Sequence, residues 1–311
     1  MKPRLTFLTA SSDTFFKDFI PHLKEDFEVK VWYRETFETC CQILHDTDIA
    51  WFEWCDQFTE NMMRSAKFCK YVVRLHSYEF FTPVPAQVDW SKVDKLVFVS
   101  KVLRDFSVQK FQNIPRNICE YIPNGVDTDK YQIPDGKKYN KKIAFVGYMN
   151  YKKGPQLLLD CFNAIYNYDP TFEFHIAGEH QDERIDLWFN NIQRYLPYKI
   201  YWDGWQENMP EYLIDKDFII NTSLFESQCM ALQEGMASGV VPLVHAWIGA
   251  EGIYPNNHLF VNPDQCVNIV RNFDTEKNQD RVRRSMRKRI VEEYSADRQI
   301  KQVVKLLKGL V

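Results

Sequence analysis

Short apolar runs alternate with stretches of helical periodicity along most of the chain. Leu5 to Ala10 predicts a buried strand. Thr14 to Lys24 predicts a helix with Phe15, Phe16, Phe19, Ile20 and Leu23 inward. Phe27 to Tyr33 alternates as a second strand, Phe37 to Leu44 suits a short helix, and Asp48 to Trp54 a third strand. A helix near Glu60 to Phe68 leads to the strand Tyr71 to His76. The strand Val93 to Val99, the helix Lys101 to Phe111 and the short strand Ile118 to Ile122 follow. Such alternation predicts a mostly parallel, doubly wound α/β sheet.

The pattern then breaks and restarts. Asn124-Gly125-Val126-Asp127 is a turn, and Thr128 to Lys142 is polar, with Pro134, Gly136 and several lysines. A boundary near 135 divides the chain into domains at 1–135 and 136–295, with a last helix at 296–311. Beyond it come the strand Ile143 to Gly147, helix Pro155 to Tyr168, strand Phe172 to Ala177, helix Ile185 to Leu196, strand Lys199 to Trp202 and helix Met209 to Ile214. Asp217 to Ser223 is then a buried strand. Met230 to Ala237 suits a helix packed on it, Gly239 its stop, and Val240 to Val244 the next strand. Two glutamates flank the start of this helix. Glu226 lies in the turn before it and Glu234 about two turns inside it. Between them stand the unpaired amides of a helix N-terminus, suited to a diphosphate. Two solvated glutamates on a strand–loop–helix unit are the alternative.

Composition narrows the classes. With 311 residues, 45% hydrophobic and 26% charged, this is a globular chain of two ordinary domains. A net charge of −3 gives no footprint for nucleic acid. The eight cysteines form no CxxC pair, so neither a zinc site nor a secreted disulfide framework is expected. No leader or membrane span is read at the start, so a cytoplasmic location is expected. Arg281 to Arg289 is strongly basic. A solvated helix face is one account of it; the other is peripheral contact with the inner face of an anionic membrane or with an acceptor.

Several stretches carry candidate chemistry. In Ile143 to Gly154, Gly147 permits a tight turn and Lys153 can reach phosphate oxygens. Arg74-Leu75-His76-Ser77-Tyr78-Glu79 ends a strand on a histidine, and Lys199 to Trp205 ends another on Gly204-Trp205. The spacing from Glu226 to Glu234, the run Gln233 to Pro242, the Lys153-Gly154 pair, Phe174 to Glu179, Phe98 to Lys101 and Ile122 to Asp127 together resemble the retaining glycosyltransferases of family 4. The resemblance covers nearly all of the C-terminal half and is weaker over the N-terminal half.

It implies the GT-B fold: two Rossmann-like doubly wound domains facing a central cleft, with the acceptor on the N-terminal side and the donor on the C-terminal side. The last helix would cross back to the N-terminal domain. The implied function is retaining, hexosyltransferase-type transfer from a nucleotide-sugar donor to a sugar, lipid-linked or small-molecule acceptor. Glu226 and His76 would be catalytic. Lys153, Gly147, Glu234, Gln228, Cys229, Met230 and Trp205 would bind the donor, Trp205 at the loop that holds the base. No DxD-like cluster stands out, so no metal or other cofactor is expected, and helix amides with Lys153 would meet the diphosphate charge. Two departures from the family pattern matter. Tyr148 stands where relatives carry an arginine, with Lys152 available to substitute, and Ser11 and Ser12 occupy the place of a glycine-rich acceptor loop. A catalytically silent nucleotide-sugar binding module is therefore the alternative, with a GT-B epimerase or phosphorylase as a same-fold rival.

Overall fold

The computed structural model describes residues 1–10, 15–33 and 36–311. Ser11 and Ser12 lie outside the described residues. The chain divides into two compact units, Met1–Gly125 with Ala296–Val311, and Val126–Ser295.

The first unit is built on a six-stranded parallel sheet of order β2-β1-β3-β4-β5-β6. Its strands are β1 (Arg4–Thr9), β2 (Glu28–Tyr33), β3 (Ile49–Phe52), β4 (Lys70–Leu75), β5 (Lys95–Phe98) and β6 (Cys119–Tyr121). The interior strands β3 and β4 are almost continuously apolar and buried, as expected of a sheet covered on both faces. The helix Ala296–Lys308 returns to this unit, where Ile300, Val303 and Leu307 pack with Leu5, Phe7, Trp51 and Val72. In place of the single helix expected from Thr14, a 3₁₀ turn at Lys17–Phe19 leads into the short helix Ile20–Leu23, which carries Pro21 in its first turn.

The second unit repeats the theme with the order β12-β11-β10-β7-β8-β9. Here the strands are β7 (Lys142–Val146), β8 (Glu173–Ala177), β9 (Ile200–Gly204), β10 (Phe218–Asn221), β11 (Val241–His245) and β12 (Leu259–Phe260). Renumbered from β7, this is the Rossmann order 3-2-1-4-5-6, whereas the first sheet runs in the flavodoxin-like order. Each sheet has one place where the direction of winding reverses: between β1 and β3 in the first, between β7 and β10 in the second. The carboxyl ends of the strands at such a reversal form the crevice where open α/β sheets bind ligands.

The units part at Gly125–Val126, ten residues before the break expected from composition. Val126 and Tyr131 pack into the core of the second unit, and Arg287 donates to the carbonyls of Thr128 and Tyr131. The basic run Arg281 to Arg289 lies in the helix Gln279–Glu293. The solvated helix face expected from the sequence holds for Arg281, Arg284 and Lys288 but not for the other three arginines. Arg283 is buried and bonded to Asp217 at 3.0 Å, Arg287 donates to three backbone carbonyls, and Arg289 donates to that of Ile253. Arg281, Arg284 and Lys288 remain exposed. Among the described residues no helix is long and apolar enough to cross a membrane.

Candidate functional site

At the reversal in the second unit, two loops are stitched together by their backbones. After β7 the chain passes through Gly147, whose N–H donates to the carbonyl of Ala177, and makes a 3₁₀ turn at Tyr151–Lys153 capped by Asn150. Gly154 then takes a left-handed conformation (φ 64°), where a Cβ would collide with the carbonyl oxygen of Thr222. That close approach joins the loop after β7 to the loop after β10. Thr222 Oγ1 donates to the carbonyl of Lys153 at 2.7 Å, and the Leu224 N–H to that of Lys152 at 2.9 Å.

The seam brings two lysines onto one carboxylate. Lys153 Nζ lies 2.6 Å from Glu226 Oε1 and Lys152 Nζ 3.1 Å from Glu226 Oε2. Ser223 Oγ donates to Glu226 Oε1 at 2.9 Å. Burial favours the neutral form of Glu226, but the charges of Lys153 and Lys152 outweigh it and hold the carboxyl below its usual range. Lys153 is likewise held above its ordinary value: burial opposes its charge and the Glu226 carboxylate restores it. Two cations and one anion leave a net positive site at a strand-end crevice, which favours an anionic ligand.

The helix Met230–Ala237 begins beside it, with Cys229 as N-cap and no side chain capping its amides. Burial pushes the Cys229 thiol up to about 11, so it is neutral. Gln228 is buried, and its amide donates to Gln233 Oε1 at 2.7 Å. Met230 is the first helical residue. Glu234 is the fifth, about one turn in rather than two, half-buried and hydrogen-bonded to Tyr131. Burial raises its carboxyl above the usual value. Trp205 follows β9 and is 58% exposed, its ring 5.6 Å from that of Tyr148. Thus Gly147, Lys153, Glu226, Cys229 and Met230 gather at the β7–β10 reversal, while Trp205 and Tyr148 sit along the sheet edge towards β9.

His76 belongs to the first unit, directly after β4. Its Nε2 is 3.0 Å from Glu53 Oε1, and its ring packs against those of Phe15 and Trp54, with centroids 4.7 and 4.4 Å away. Sequence reasoning missed Glu53 and Ser223. Both directly follow or nearly follow an apolar strand at a point of reversal, but that signal exists only once strand order is known.

Residues 140–275 match the family model described as Glycosyl transferases group 1. The mannosylfructose-phosphate synthase of Agrobacterium fabrum is 22% identical over 283 residues, an overlap of 83% of this chain and 57% of that protein. This chain therefore spans little more than half the length of that relative. Among solved structures, Anabaena Alr3699/HepE in complex with UDP and glucose superposes with a TM-score of 0.78 at 14% identity, covering 99% of this chain and 100% of that one. Sucrose-phosphate synthase from Thermosynechococcus elongatus gives 0.77 at 11% identity, covering 99% of each chain. The chain has the fold of the GT-B glycosyltransferases, and its second unit carries a glycosyl transferases group 1 domain at residues 140–275.

Proposed function

We propose that this chain is a retaining, metal-independent glycosyltransferase of family 4 that moves a hexose from a nucleotide-sugar to a sugar, lipid-linked or small-molecule acceptor. The observation that carries this reading is the Lys152–Lys153–Glu226 cluster at the β7–β10 reversal, beside an uncapped helix start. Lys153 and the amides from Cys229 onward would take the diphosphate, releasing Glu226 to the sugar. Glu234 would accept from the ribose hydroxyls, and Trp205 would lie against the base. The UDP and glucose bound to the Anabaena neighbour support a nucleotide-sugar as the class of donor.

In the transfer step the bond from the anomeric carbon to the diphosphate oxygen breaks, and the acceptor oxygen bonds on the same face. The acceptor's proton passes to the departing phosphate. Glu226 hydrogen-bonds sugar hydroxyls and offsets positive charge growing at the anomeric carbon, an interaction that strengthens towards the transition state. The protein's contribution is then positioning and fixed charge rather than a covalent intermediate.

The second reading, a silent nucleotide-sugar binding module, is favoured by Tyr148 in the place of the family arginine. Slow release of free sugar from a panel of nucleotide-sugars, without acceptor, separates the two. An enzyme hydrolyses at least one donor, and Glu226→Gln slows it; a binding module shows bound donor and no release.

A further inference from the structure

Glu53 is a fully buried carboxylate, 0% exposed, at the carboxyl end of β3. Among the described residues its oxygens meet Trp51 Nε1 at 2.8 Å, Arg74 Nη1 at 3.4 Å and His76 Nε2 at 3.0 Å. Arg74 is buried too, and also donates to the carbonyl of Phe15 at 3.2 Å and to Asn124 Oδ1. A buried ion pair of this kind adds little stability over apolar residues of the same volume, because desolvation offsets the attraction. Its place is informative: the β1–β3 reversal is the ligand-binding crevice of the first sheet.

We propose that Glu53 is a positioning residue for His76, holding its ring by an Nε2–H bond so that Nδ1 is left as a hydrogen-bond acceptor. The proposal rests on the reading of His76 as a residue of the sugar-transfer site. The chemistry is consistent throughout the cluster. Burial opposes the charge of Glu53, but Arg74 and His76 outweigh it and keep the carboxyl ionised. Burial likewise holds the His76 imidazole below its ordinary value, so the ring is neutral. A neutral ring that donates from Nε2 must carry its lone pair on Nδ1. His76 is also the N-cap of the helix Ser77–Phe80, in a capping box with Glu79, where an unprotonated ring nitrogen suits the Glu79 N–H and the Glu79 carboxylate accepts from the His76 N–H at 3.2 Å. The Phe15 and Trp54 rings, in contact with each other, both pack against it. A proton-carrying role would require the opposite: a ring with access to water and a value near neutrality.

The test is ¹⁵N NMR of histidine-labelled full-length protein, with His76→Gln identifying the resonances, joined to donor-hydrolysis kinetics. Wild type is expected to show His76 as a single Nε2–H tautomer. Glu53→Gln, whose amide can present either end to the ring, should mix the tautomers and lower kcat by about a hundredfold, as for a group held about an ångström out of place. The KM for donor should stay unchanged, and adding His76→Gln should cost nothing further. Unaltered His76 signals in Glu53→Gln, or losses that simply multiply in the double variant, would overturn the proposal. If Glu53→Gln does not fold, Glu53→Asp keeps the charge one methylene shorter and carries the same two readouts. A wild-type protein that hydrolyses no nucleotide-sugar removes the functional reading, while the tautomer measurement still decides the role of Glu53.

Discussion

Each sheet places a glutamate beside basic side chains at its reversal, and the two clusters differ in their access to water. In the first unit the side chains of Glu53, Arg74 and His76 are 0%, 1% and 8% exposed. In the second, those of Lys152, Lys153 and Glu226 are 42%, 17% and 9% exposed. The Glu53–Arg74 pair, fully sealed, can exchange no partner without local opening, so it suits holding His76 in place. An open cluster has lysines on long, flexible stems that can trade a carboxylate for a phosphate at small cost. Similar pairings of glutamate with basic side chains thus suit a scaffold in one unit and, on the function proposed, a receptor in the other.

The largest effect expected from this contrast is on stability. Arg74→Met leaves Glu53 buried without its cation and should cost about 3–5 kcal/mol in urea denaturation. Lys153→Ala leaves Glu226 with Lys152 and Ser223 as partners and should cost clearly less than that. Equal losses at the two places would erase the distinction between the clusters.

Next comes turnover. Glu226→Gln should fold, bind nucleotide and release sugar on the order of 10²–10³ more slowly, as when one preorganised contact to the transition state is lost. Wild-type rates would make Glu226 a structural partner of the two lysines, and the open cluster would lose its chemistry.

Much of this arrangement was legible in the sequence, because it depends on local periodicity. The helix Pro155–Tyr168 falls where its apolar spacing, Pro155 and the preceding Gly154 put it. The run around Glu226, Met230 and Gly239 likewise carries its own strand, helix and stop signals. Glu53 was not legible. Between Trp51, Phe52 and Trp54 it reads as a polar strand end, and its partners come from 21 and 23 positions further on. Asn124 read as part of a turn, and in the fold it also bonds Arg74. Arg283 and Arg287 read as surface charge for the same reason: their acceptors, Asp217 and the carbonyls of Thr128, Tyr131 and Ala237, are remote in the chain. Spacing finds elements, and charge partners are found only by topology.

The pH dependence should also differ between the units. Burial pushes the Glu79 carboxyl, beside His76, up to about 8, although the Cys55 and His76 N–H groups donate to it. A folded-state value above the ordinary one means that the folded protein binds this proton more tightly. The stability it contributes is full below about pH 4.3 and is lost as pH rises through about 8. Glu226 has the opposite sign: held below its usual range, it contributes above that range and loses its contribution as pH falls. Glu79→Gln should therefore flatten the decline in urea midpoint between about pH 5 and about pH 8, with less change at lower pH. A profile parallel to wild type across that window would contradict this assignment.

The central claim is that the open cluster receives a diphosphate, and calorimetric titration of UDP into wild type and Lys153→Ala tests it most directly. If Lys153 exchanges Glu226 for a phosphate oxygen, the variant loses a charge-assisted hydrogen bond and binds UDP about 1.5–3 kcal/mol more weakly, while melting close to wild type. Equal affinity in the two proteins would contradict the account.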